Sequence, residues 1–95
     1  MVTEKDSEDK LAKVRFNCRR GMLELDVMLQ HFFESSYREL SSEKQQLFEE
    51  LLNAEDQDLH RWLIGTEACT EPRFQDMLLV IRHMYARHAK QEQPA

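Results

Sequence analysis

The sequence predicts an all-α fold, a single compact five-helix domain, and three observations carry that prediction. Apolar residues recur at spacings of three and four along most of the chain, the period of one helix face. Only two Gly and two Pro occur in 95 residues, too few for the repeated tight turns of a sheet protein. Hydrophobic residues make up 41% and charged residues 33%, which suits one small core and argues against disorder.

The first helix is expected from Asp9, with Leu11, Val14 and Cys18 on one face. Arg19-Arg20-Gly21 marks its end: cations suit the negative end of the helix dipole, and glycine suits a left-handed residue after it, or a kink. A second helix, about Leu23 to Arg38, carries the broadest apolar stripe: Leu25, Met28, Leu29, Phe32 and Phe33. Ser41 or Ser42 offers an N-cap to a third, Glu43 to Asn53, with Leu47, Phe48, Leu51 and Leu52 inward. Asp56 is placed to cap a fourth, holding Leu59, Trp62, Leu63 and Ile64 and stopped by Gly65. Pro72, tolerated in a first turn, opens the fifth, in which Phe74, Met77, Leu78, Ile81 and Tyr85 keep helical spacing. The domain is therefore expected over residues 9–87, with a disordered N-terminus at 1–8 and a flexible tail at 88–95.

Several function classes lose support at this stage. The net charge of −5 is a poor basis for a nucleic-acid partner, which needs a cationic face. No apolar run approaches the ~20 residues of a membrane span, so no membrane insertion is expected. The acidic first residues resemble neither a secretory signal nor an Arg-rich transit peptide, which points to the cytoplasm. Cys18 and Cys69 match no metal spacing, and Cys18 lies on an apolar stripe, as a buried, inert thiol does. His83 and His88 are five residues apart and fall on different helix faces. A calcium loop opening at Asp56 needs glycine at its sixth position, where Arg61 stands. With no Gly-rich phosphate loop and no activated nucleophile, neither metal site nor enzyme is expected.

What remains is the junction Arg19-Arg20-Gly21-Met22-Leu23-Glu24-Leu25-Asp26. It gathers two guanidinium groups, a bare backbone position and two carboxylates. Glycine lets another backbone approach closely, and Arg offers a planar fork of donors. The same residues also read as a helix cap followed by a solvated acidic first turn.

This string resembles the RGxxE signature of the SdhE family, the FAD assembly factors of succinate dehydrogenase. Phe32-Phe33, Tyr37, Leu40 and the run Asp56-Gln57-Asp58-Leu59 leading into Trp62-Leu63 continue the resemblance, which covers about Leu11 to Arg87. It implies a five-helix protein that binds the flavoprotein subunit of succinate dehydrogenase, and often that of fumarate reductase. It further implies that the protein promotes covalent attachment of FAD to a histidine of that subunit, without catalysis of its own and without holding FAD stably. Arg20, Gly21 and Glu24 occupy the motif positions, and Arg19, Asp26 and Trp62 are the further candidates for the partner surface. On this reading Arg20 and Glu24 supply charge-assisted hydrogen bonds to the partner, Gly21 supplies clearance, and the free protein is a monomer. Two rivals are a direct FAD carrier, with Trp62 or Phe16 stacking and Arg19 and Arg20 on the diphosphate, and a regulatory or antitoxin-like binding module.

Overall fold

The computed structural model describes residues 4–65 and 67–92. Five helices follow one another: α1 Glu4–Asn17, α2 Leu23–Ser36, α3 Ser42–Leu51, α4 Asp56–Leu63 and α5 Pro72–Glu92. A 3-10 turn, Tyr37–Glu39, tightens the end of α2, and no strand occurs among the described residues. The predicted all-α, five-helix architecture is the observed one.

The outer boundaries lie further out than expected. Helix α1 begins at Glu4, inside the segment expected to be disordered, and α5 runs to Glu92, through most of the expected tail. Residues 1–3 and 93–95 lie outside the described residues. Local preference accounts for both extensions. Residues 4–10 contain no Gly or Pro, and Asp9 stands four positions before Lys13, the favourable order for a helical pair. Ala86, Arg87, Ala89, Lys90, Gln91 and Glu92 are strong helix formers, and the first breaker is Pro94.

Helix α2 is the centre of the molecule. Its predicted stripe of Leu25, Met28, Leu29, Phe32 and Phe33 is buried, and α2 packs against both α4 and α5. Phe32 meets Phe48 of α3 with ring centroids 5.2 Å apart, and Tyr37 meets Phe48 at 5.8 Å. Tyr37 is buried, yet its hydroxyl donates to Glu49 Oε2 at 2.6 Å, so its polar tip is satisfied at the edge of the core. Leu59 and Leu63 of α4 and Phe74, Met77, Leu78 and Ile81 of α5 complete one continuous core. Val14 and Cys18 seat α1 on the same core.

The caps divide into one expected and one not. Ser41 caps α3, its Oγ accepting from Lys44 N at 3.3 Å. Asp56 does not cap α4: Glu55 holds that position without a side-chain bond, and Asp56 is the first helical residue. At the other end, Ile64 and Gly65 both donate to His60 O at 2.9 Å. A Cβ on Gly65 would lie 2.8 Å from Arg61 O, a backbone clash that only glycine avoids.

Candidate docking surface

The connection from α1 to α2, residues 18–22, is where the candidate residues converge. Helix α1 closes with Cys18 N donating to Val14 O and Arg15 O, and Arg19 N to Phe16 O, each at 3.1 Å. The Cys18 side chain is fully buried and anchors the connection from below. Burial pushes its thiol from 9.0 up to about 12, with Arg20 opposing and Asp26 adding to the rise. That environment withholds the thiolate, in line with the inert cysteine expected.

Arg20 turns inward, and its side chain is only 11% exposed. Nη1 donates to Ala54 O at 3.2 Å and to Asp56 Oδ1 at 3.0 Å. Nη2 donates to Asn17 O at 2.8 Å and to Leu52 O. Nε is buried and finds no partner. The guanidinium thus joins the C-terminal ends of α1 and α3, where carbonyls are short of donors and the dipole favours a cation, to the first residue of α4. Both terminal nitrogens are already engaged, which leaves none free for a partner carboxylate or a diphosphate. In this structure Arg20 braces the connection from within, instead of presenting its guanidinium at the surface.

Gly21 follows at the surface. Its backbone N–H donates to Asp56 Oδ2 at 3.3 Å, so one carboxylate holds both the Arg20 side chain and the Gly21 backbone. Gly21 has no positive φ, contrary to the left-handed residue expected from Arg-Arg-Gly. A Cβ built on it would meet only Asp56 Oδ2, at 3.9 Å, an ordinary contact distance. Neither backbone strain nor internal packing requires a glycine here.

Asp26 also works within the fold. Its Oδ1 accepts from Arg20 N at 2.8 Å and from Gln30 Nε2 at 2.9 Å, tying the connection to the first turns of α2. Arg19 and Glu24, by contrast, are exposed, and neither side chain forms a hydrogen bond or ion pair among the described residues. Three large apolar side chains on the flanking helix turns are exposed: Leu23 at 77%, Phe16 at 68% and Val27 at 42%. Leu23 and Val27 are four apart on α2, with Glu24 beside them, so they share a face. A single exposed apolar residue is ordinary, but Leu23 and Val27 on one face with Glu24, unpaired among the described residues, make a candidate docking surface.

Trp62 is not part of this network. It is half-buried against the core and borders a shallow groove with Cys69, Leu78, Leu79 and Arg82, between α4 and α5. Among the described residues no cluster of His, Cys, Asp and Glu is arranged to hold a metal ion. No helix among them is long and apolar enough to cross a membrane.

Two features escaped the sequence reading. Leu23 and Val27 had a signal: they fall out of phase with the Leu25-Met28-Leu29-Phe32 stripe, so helical periodicity alone turns them outward. The Asp56 link had none, because it joins residues 35 and 36 positions apart.

The chain matches, over residues 12–85, the family described as flavinator of succinate dehydrogenase. It is 46% identical over 72 residues to the FAD assembly factor SdhE of Shewanella oneidensis, covering 76% of this chain and 88% of the relative. It is similar also to the FAD assembly factors SdhE of Idiomarina loihiensis, at 39% over 92% of this chain and 97% of the relative, and of Coxiella burnetii, at 36% over 76% and 88%. These similarities agree with the resemblance read from the residues.

Proposed function

This chain belongs to the family of succinate dehydrogenase flavinators, and from that membership we propose that it binds the succinate dehydrogenase flavoprotein and promotes covalent attachment of FAD. The observation that carries the docking site is Gly21. Its backbone is tied to Asp56, yet neither backbone strain nor neighbouring atoms among the described residues need it to be glycine. A residue left bare without an internal reason is best explained by an external one: the partner's backbone approaches there.

On this reading Gly21 gives clearance, Glu24 accepts donors from the partner, and Phe16, Leu23 and Val27 lose water on docking. A charged hydrogen bond buried at such an interface makes truncation of Glu24 cost about 2–5 kcal/mol of binding. Arg19, exposed and unpaired among the described residues, is a second charge available to the partner at the rim. Arg20 and Asp26 act from behind, by holding the shape. The protein does no chemistry itself and holds FAD only through its partner. It favours the flavoprotein conformation in which flavin and acceptor histidine are aligned, and the flavin's own electrophilicity forms the bond. The same reading has it act in the cytoplasm as a monomer when free, with the fumarate reductase flavoprotein as a second client.

The test is the covalent flavin fluorescence of the flavoprotein band on a denaturing gel, from a host lacking this gene. Wild type should restore it, and Gly21→Arg and Glu24→Ala should not, although both fold. Full flavinylation with both variants, at normal flavoprotein abundance, would sink the assignment.

A further inference from the structure

Resting on that docking surface, we propose that Asp56 is a positioning residue that sets the orientation of the Arg20–Gly21 backbone for the flavoprotein. The argument starts from what holds the connection in place. Of the four acceptors on the Arg20 guanidinium, three are main-chain carbonyls, of Asn17, Leu52 and Ala54, which locate the side chain whatever the sequence. Asp56 supplies the fourth, and with it the one full negative charge among those acceptors. Its second oxygen takes the Gly21 N–H. A single carboxylate therefore fixes two points one residue apart, which defines a direction as well as a location.

The position suits an acidic side chain. Asp56 opens α4, where the helix dipole is positive, and it faces a guanidinium. Desolvation is partial, since its side chain is 34% exposed, so the pair avoids the full cost of a deeply buried ion pair. The neighbouring acid does not share the role. Asp58 pairs with Arg61, three residues on, and Arg61 also reaches Glu67 at 3.4 Å. Asp58 is thus an internal control of nearly the same sequence position and the same charge.

Without the Asp56 carboxylate, Arg20 keeps its carbonyl partners, but the Gly21 amide loses its one side-chain acceptor among the described residues. Asp26 still holds Arg20 N, but the Arg20–Gly21 peptide loses the restraint on its Gly21 side, and the face offered to a partner is less sharply set. Affinity falls through the ordering that binding must now supply.

The experiment measures the dissociation constant of the purified full-length protein for the apo-flavoprotein subunit by calorimetry, with amide exchange at Gly21 in the free protein. Asp56→Ala should weaken binding roughly tenfold or more and speed Gly21 exchange. Asp56→Asn, which keeps one acceptor and the shape, should recover part of both and remains decisive if the alanine variant does not fold. Asp58→Ala should change neither. Unchanged affinity in the Asp56 variants overturns the proposal, and so does weakened affinity with Gly21 exchange unaltered, which would make Asp56 a direct contact. Wild type that does not bind the flavoprotein at all removes the functional reading itself, whereas wild-type binding that is indifferent to Asp56 removes only this inference.

Discussion

A Cβ placed on Gly21 stands 3.9 Å from Asp56 Oδ2, at ordinary contact distance and on backbone without positive φ. Gly21→Ala should therefore fold normally, with stability within about 1 kcal/mol of wild type, on the stabilising side if the smaller unfolded-state entropy dominates. Flavinylation should nonetheless fall. Thermal unfolding beside the gel fluorescence assay separates the two effects, and a destabilisation of several kcal/mol would place the need for glycine inside the fold.

Arg20 should behave in the opposite way. Arg20→Ala leaves the Leu52 and Ala54 carbonyls and Asp56 Oδ1 without their Arg20 donor, so a loss of about 2–4 kcal/mol is expected in urea unfolding. Arg20→Lys should rescue little, because a single ammonium cannot span acceptors arranged for a planar fork. Stability near wild type in Arg20→Ala would show that the internal bonds contribute little.

Leu23→Ser removes an apolar side chain that is 77% exposed. Stability should stay within about 0.5 kcal/mol, as for most surface changes. Burial of a leucine at an interface contributes roughly 1.5–3 kcal/mol, so binding to the flavoprotein should weaken by about tenfold or more. Calorimetry with Leu23→Ser and Val27→Ser checks this, and full affinity in both would move the contact surface elsewhere.

Alkaline pH should destabilise the fold through two buried groups. Burial raises the Cys18 thiol from 9.0 to about 12, and burial, reinforced by the hydrogen bond to Glu49 and that residue's charge, raises Tyr37. The folded protein keeps both protons where the unfolded chain has released them. Stability is thus fully present below about pH 9 and declines as pH rises above the ordinary values of thiol and phenol, by roughly 1.4 kcal/mol per pH unit for each group. Urea midpoints between pH 8 and pH 11 test the slope, and Cys18→Ala should make it shallower. A flat profile would contradict the burial of these protons.

How much of this was legible beforehand differs between elements. The α2 stripe could be read because periodicity is local: Leu25, Met28, Leu29, Phe32 and Phe33 share a face in any helix that contains them, and all are buried. The outer turns of α1 and α5 leave no periodic signal, because residues such as Ala, Lys and Glu keep a helix going without an apolar face. The position of Trp62 was not legible: its spacing places it on α4, but only the packed structure sets it at a groove between α4 and α5, apart from the Arg20 network.

The sequence by itself determined the class of fold, the identity of the core, the inert setting of Cys18 and the candidate junction at Arg19–Asp26. Those follow from spacing and residue type, which act over one or two helical turns. Only the tertiary structure decided that Arg20 faces inward, that Asp56 binds it instead of capping α4, and that Gly21 has room for a side chain it does not carry. Each of these depends on helix ends that meet across more than thirty residues of chain, and a hydrogen bond of that span leaves no periodic trace in the sequence.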